Sequence, residues 1–224
     1  MSSALDDASK GITFFQWMIL GTLTLTSTLY AMSMTIANIA LPQLQGALGA
    51  TQDQIAWTVT FNIVGTAIVT PMTGWLTLRF GQRRLMLCAI FGFATSSILC
   101  GQATALPELV IYRVFQGAFG GPLVPLSQAI ILGVFPRQLH SFATAVWGMG
   151  VVCGPIIGPT VGGYISEAYS WRWIFYIIAP FSLLAFLGAW LYVRNTTHNK
   201  LSKLDWTGFI SLSIAVTALQ LMLD

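Results

Sequence analysis

The chain has 224 residues, 55% hydrophobic and only 8% charged, with a mean hydropathy of +0.75. An ordinary soluble domain carries about 25% charged residues, so this composition excludes a soluble globular protein. The net charge of +3 is small, and its basic residues fall in alternate loops, a pattern that sets membrane orientation rather than one that binds nucleic acid.

Met1 to Lys10 is short, polar and acidic, without the basic flank and cleavage site of a secretory signal, so residues 1–14 read as a tail that stays on the protein. Seven runs without Asp, Glu, Lys or Arg follow: Gly11 to Gln52, Gln54 to Leu78, Leu85 to Pro107, Val114 to Pro136, Gln138 to Ser166, Trp173 to Val193 and Trp206 to Leu223. About 20 apolar residues cross the hydrocarbon core, and a spanning segment must satisfy its own backbone, so all seven are expected to be helices. The predicted fold is all-α and membrane-integral. Residues 15–193 form a six-helix bundle with short loops and antiparallel neighbours, 194–205 (RNTTHNKLSKLD) a cytoplasmic linker, and 206–224 a seventh span truncated at Asp224.

Lys10, Arg79, Arg83, Arg84, Arg137, Arg194, Lys200 and Lys203 occupy one set of loops, and Asp53, Glu108 and Glu167 the other, with Arg172 alone among them. The positive-inside rule makes the N-terminus cytoplasmic. The expected location is the cytoplasmic (inner) membrane, crossed many times. Cys88, Cys100 and Cys153 lie within spans without metal or redox spacing and read as small packing residues.

Four stretches carry the functional signal. In span one, LYAMSMTIANIALP (Leu29 to Pro42) holds Ser33, Thr35 and Asn38 where hydrocarbon offers them no partner. Helical spacing puts Thr26, Tyr30, Ser33 and Ala37 on one face and Thr35 and Asn38 on another. After span two, GWLTLRFGQRRLML places Gly74 and Gly81 about a turn crowded by Arg79, Arg83 and Arg84. Span four opens ELVIYRVFQGAFGGPLVPLSQ, with Gln116, Gly117, Gly120 and Gly121 on the face of Arg113. An arginine on an isolated spanning helix costs at least about 2.5 kcal/mol, so Arg113 is expected inside the bundle rather than snorkelling to the headgroups. Span five contains GMGVVCGPIIGPTVGGYI, where Gly150, Gly154, Gly158 and Gly162 make a bare ridge and Pro155 and Pro159 interrupt the hydrogen-bond ladder.

These stretches together resemble the major facilitator superfamily, in particular its 14-span drug:proton antiporter group of EmrB-like and QacA-like exporters, and specifically the N-terminal half. GWLTLRFGQRR resembles the superfamily's loop motif, RVFQG its fourth-span motif, GPIIGPTVGG its antiporter motif, and LYAMSMTIANIALP the group's first-span signature, LDxTIVNVALP. The resemblance implies multidrug efflux by alternating access, with a seam of Gly150, Gly154, Pro155, Gly158, Pro159, Gly162 and Gly163 facing the missing C-terminal half. It implies a cytoplasmic gate loop of Gly74, Arg79, Gly81 and Arg83, and for EmrB-like members a periplasmic adaptor.

Two departures matter: Ser33 stands where the group has an aspartate in span one, and Leu78 where the loop motif has its own. No carboxylate remains inside the spans to carry a coupling proton. Coupling would use an acid elsewhere, a loop acid or another ion, and no cofactor or metal is expected. A pocket of Tyr30, Ser33, Asn38, Arg113 and Gln116 would lack negative charge and favour neutral or anionic amphipathic substrates. The expected function is secondary active export of small drug-like compounds. The alternative is a non-transporting truncated membrane partner or regulatory paralogue. An intramembrane enzyme is disfavoured because the spans carry no paired acids, zinc-ligand spacing or Ser/His dyad.

Overall fold

A computed structural model describes residues 12–195 and 206–223. Six helical stretches are long and apolar enough to cross a membrane: Phe14–Ile39, Gln52–Phe80, Gln82–Gln102, Leu106–Val134, Arg137–Ala168 and Trp173–Tyr192, spans one to six below. A further helix, Trp206–Leu223, packs on span two. Most of the expected tail (1–11) and linker (196–205) lies outside the described residues.

Spans two, four and five are longer than their charge-free runs because caps, not charges, end the helices. Span two starts on a reciprocal box in which Gln54 N donates to Thr51 Oγ1 at 3.3 Å and Thr51 N to Gln54 Oε1 at 3.0 Å. Span four starts at Leu106 rather than Val114, and Glu108 sits in its first turn, accepting from Thr104 N at 2.9 Å and Thr104 Oγ1 at 3.0 Å. A carboxylate there also complements the helix dipole.

Between spans two and three the chain turns on one residue, Gly81, whose φ of 88° disfavours any side chain. Gly74 takes no part in that turn: it sits within the helix Thr73–Phe80, with open space where a Cβ would go. Span two passes through a 3-10 turn at Thr70–Met72, where Pro71 removes a donor, and span four is interrupted between the helices Leu106–Gly120 and Leu123–Val134. Span five, by contrast, stays helical from His140 to Ala168 through both prolines.

The most extensive contacts pair span one with span five and span two with span four. Two apolar clusters fill the bundle, one around Leu20, Leu23, Met86, Phe93 and Ile131, the other around Ile36, Leu44, Leu109, Trp171 and Phe175. Of the cysteines only Cys100 packs inside; Cys88 and Cys153 lie on outward faces, which corrects their reading as packing residues.

Spans two and four meet backbone to backbone. A Cβ on Gly65 would strike the Val114 carbonyl, one on Gly117 the Asn62 carbonyl, and one on Gly121 would lie 3.0 Å from the Thr66 carbonyl. Small residues allow this approach, and dispersion across it replaces the hydrophobic drive that lipid does not supply. Gly117→Val should therefore destabilise by about 1–3 kcal/mol, read as a lower Tm of the purified protein in detergent. Gly148→Val, at a position with open space around its Cβ, should leave Tm unchanged.

Candidate functional site

Arg113 is 1% exposed, buried by the chain's own helices. Its Nε donates to the Thr58 carbonyl of span two at 3.0 Å and its Nη1 to Gln116 Oε1, one turn further along span four. Gln116 Nε2 in turn donates to Ser97 Oγ of span three at 2.7 Å. The guanidinium carbon lies 5.8 Å from the centre of the Phe175 ring. All these acceptors are neutral. The titratable groups close enough to interact electrostatically with Arg113 are Cys100 and Tyr30, so among the described residues no carboxylate compensates it. Its Nη2 is buried without a hydrogen-bond partner, as is Asn62 Oδ1.

Span two grips span four by a ladder with a four-residue repeat. Asn62 Nδ2 donates to the Arg113 carbonyl at 2.8 Å. Thr66 Oγ1 reaches the Gly117 carbonyl at 3.2 Å and Thr70 Oγ1 the Gly121 carbonyl at 3.4 Å, each sharing its proton with the carbonyl four residues back on its own helix. Pro125 has no N–H to return to Gly121, so the Thr70 hydroxyl meets a carbonyl that its own helix leaves free. With the Thr66 proton committed to carbonyls, Tyr30 is the donor in the 3.0 Å contact between the Tyr30 and Thr66 hydroxyls.

This arrangement redistributes the five residues predicted to line a pocket. Tyr30 (9% exposed), Ser33 (1%), Arg113 (1%) and Gln116 (0%) lie inside the six-helix bundle, not on a wall open to a second bundle, while Asn38 is exposed on a different face. Ser33 Oγ is satisfied by the Tyr30 carbonyl of its own helix at 2.8 Å. Thr58, Asn62, Thr66 and Ser97, which complete the network, were not singled out from sequence. The available signal was Asn62, an amide within a charge-free run, with Thr66 and Thr70 following at helical spacing.

The glycine ridge of span five is also placed differently from its expected orientation. Its Cβ positions at Gly150 and Gly162 would meet Thr24 and Ile36, the one at Gly154 would lie 2.7 Å from the Thr28 carbonyl, and the one at Gly158 2.6 Å from Thr35 Oγ1. The ridge therefore faces span one within the same bundle, where Thr28 Oγ1 also donates to the Gly150 carbonyl at 2.8 Å. What span five turns outward is its bulky side: Met149, Val152, Pro155, Ile156, Ile157 and Tyr164. Pro159 and Gly163 are half-buried, and Gly163 sits in ordinary contact range of Ile39.

Arg79, in the last turn of span two, is exposed with its guanidinium 5.5 Å from the Trp75 ring centre. Arg83, expected as a topological charge, instead donates from Nη2 to the Trp190 carbonyl at 2.6 Å and ties the loop to the end of span six.

Six antiparallel spanning helices with a seventh packed alongside define a polytopic membrane protein of the kind that builds transporter bundles. The family model described as Major Facilitator Superfamily matches residues 23–221, and the chain belongs to that family. It is 42% identical over 203 residues to the multidrug export protein EmrB of Haemophilus influenzae, covering 90% of this chain and 40% of that protein. It is 38% identical over 194 residues to the fatty acid resistance protein FarB of Neisseria gonorrhoeae, covering 85% and 38%. The chain thus spans about 40% of the length of these curated relatives. Among solved structures, the xylose transporter XylE from E. coli in a partially occluded inward-open conformation superposes with a TM-score of 0.74 at 18% identity, over 82% of this chain and 49% of that one. A peptide transporter POT in complex with sulfate gives 0.72 at 16% identity, over 92% and 45%. At such identities these likenesses establish the fold.

Two variants, made in the intact exporter proposed below, probe the network and the ridge. A buried charge without a counter-ion is a burden on stability, so Arg113→Met combined with Gln116→Leu should leave Tm unchanged or raised while transport falls at least about tenfold; a variant that is stable and fully active would remove Arg113 from the mechanism. Gly154→Leu must push span five off the Thr28 carbonyl, and should abolish transport while membrane insertion, followed by fractionation, is retained.

Proposed function

We propose that the chain forms the first helical bundle of an inner-membrane exporter of small amphipathic compounds. The bundle works by alternating access against a second bundle, and the N-terminus lies in the cytoplasm. The reading is supported by the similarity to proteins named for multidrug export and fatty acid resistance and by the basic residues gathered at one end of the bundle. The outward bulky face of span five offers the second bundle an apolar docking surface, and Gly81 with Arg79 and Arg83 forms the gate loop on the cytoplasmic side.

The observation that carries substrate class is the uncompensated guanidinium of Arg113. At an effective dielectric constant of about 20, a unit charge roughly 10 Å away still feels about 2 kcal/mol from it. Cationic amphiphiles are therefore repelled from the neighbourhood, and neutral or anionic ones are not. Coupling to protons would use a group outside these spans, because Asp53, Glu108 and Glu167 are exposed at span ends and the sequence offers no acid between them.

Proteoliposomes containing the intact transporter decide the matter with two probes under an imposed pH gradient. Decanoate, a lipophilic weak acid, should be moved and tetraphenylphosphonium should not. Movement of the cation alone would overturn the substrate reading, and movement of neither compound, or of any other amphiphile in a panel, would overturn the exporter reading.

A further inference from the structure

A cavity of about 230 Å³ lies inside the arginine-rich end of the bundle, where spans one and three begin and spans four and six end. Its floor is apolar and buried, made by Ile19 of span one, Ile130 of span four and Val193 at the end of span six. Its rim is polar: Gln82 opens span three, and Arg194 and Asn195 follow span six, both of them exposed. Two rings set edge to face, Phe15 and Tyr192 with centroids 5.8 Å apart, complete the wall. The cavity is remote from the Arg113 network, because Gly133 on its wall lies roughly 30 Å beyond Arg113 along span four at 1.5 Å per residue.

The Arg194 guanidinium lies 5.2 Å from the centre of the Phe15 ring, a contact that leaves its N–H donors for another partner. Among the described residues that partner is not a carboxylate, since Asp53, Glu108 and Glu167 all lie at the opposite end of the bundle. Arg83, by contrast, is engaged by the Trp190 carbonyl. Gln82 begins a 21-residue helix without a side-chain cap, so the positive end of that helix's dipole adds to the field at the rim. A rim of one guanidinium and two amides over a floor of branched aliphatic chains suits a ligand with one anionic end and a compact apolar body. The volume sets its size: drug-sized ligands occupy pockets of about 300–1,000 Å³, and this cavity is smaller. Inorganic phosphate would leave the floor unfilled, whereas the two oxygens of a carboxylate match the fork of a single guanidinium.

We propose that this cavity binds a small amphipathic monocarboxylate. Its carboxylate meets Arg194 and the rim amides of Gln82 and Asn195, and its apolar body rests on Ile19, Ile130 and the Phe15 ring. Four spans end or begin at the site, so an occupant bridges them and favours the conformation in which those ends meet. A carboxylate in the cytosol thereby biases the end of the bundle that carries the turn at Gly81. The site is independent of which compound the transporter moves; only its access from the cytosol rests on the orientation proposed above, and binding in detergent does not.

Ligand-observed NMR titration of benzoate into the purified intact transporter tests it, with benzamide as the neutral isostere. Saturable benzoate binding is expected, with benzamide at least about tenfold weaker. Arg194→Gln should weaken benzoate by the same factor, whereas Arg194→Lys should keep most of the binding. Gly133→Leu, at a position with open space around its Cβ, fills the cavity without touching charge and should also weaken it. The double variant Arg113→Met, Gln116→Leu should bind benzoate unchanged. Equal binding of benzamide, unchanged binding in Arg194→Gln or in Gly133→Leu, or displacement of benzoate by equimolar inorganic phosphate would each overturn the proposal. Loss of binding in the Arg113 double variant would overturn it too, by placing the benzoate in the transport route, and would leave the exporter reading intact. Thermal scanning separates lost ligand from lost fold: loss of binding at unchanged Tm in Arg194→Gln or Gly133→Leu supports the site, and loss confined to variants whose Tm falls counts against it.

Discussion

A guanidinium group enclosed by lipid-embedded helices must find its acceptors within the protein, and in this bundle every acceptor it finds is neutral. Arg113 uses a backbone carbonyl, a side-chain amide oxygen and an aromatic face. Each comes from, or is held by, a different helix, so the arginine can be accommodated only if spans two, three, four and six are brought together. That requirement propagates outward. The Thr58 carbonyl comes within reach because spans two and four touch along Gly65, Gly117 and Gly121, and that contact is closed by Asn62, Thr66 and Thr70. Remove the small residues and the helices separate; separate them and a charge is left in hydrocarbon without partners.

The helices themselves were legible in the amino-acid sequence because a bilayer imposes one simple rule, a long apolar run, on every segment that crosses it. Burial of Arg113 was legible for the same reason: a charge in such a run has few places to go. What spacing alone could not supply is direction. The glycines of span five announce a close helix contact, but a ridge packed on span one and a ridge packed on another bundle have identical sequences. The outcome depends on which neighbour brings a complementary surface, here the Thr24, Thr28 and Ile36 face of span one. The polar face of span one misled in a related way. Tyr30 and Ser33 were read as cavity-facing because hydrocarbon offers polar groups nothing, yet a serine can satisfy itself on its own helix, as Ser33 does on the Tyr30 carbonyl.

Hydroxyl groups account for the rest of what was missed. Threonine in a spanning helix routinely bonds the carbonyl one turn back, so its presence says little about tertiary contacts. Thr66 and Thr70 do both at once, and the second bond exists only because a glycine on span four exposes its carbonyl. Asn62 is different. An amide cannot hide its donors on its own helix as readily as a hydroxyl can, and its position one turn before Thr66 marks the side of span two that meets span four.

The alternating access proposed for this bundle needs parts that hold and parts that yield, because packed interfaces tend to be bistable rather than continuously deformable. The ladder between spans two and four runs from Asn62 to Thr70 and stops where both helices lose regular hydrogen bonding, at Pro71 on one and at Gly121 and Pro122 on the other. Above that level the two spans share a backbone contact that admits no side chain between them. Below it each continues as a separate helix, Thr73–Phe80 leading into the turn at Gly81 beside Arg83 and Leu123–Val134 into the turn that opens span five. The arginine network and the loop motif are therefore mechanically linked: the first fixes the upper halves of spans two and four as a unit, and the second lies at the end of the lower half of span two that this unit carries.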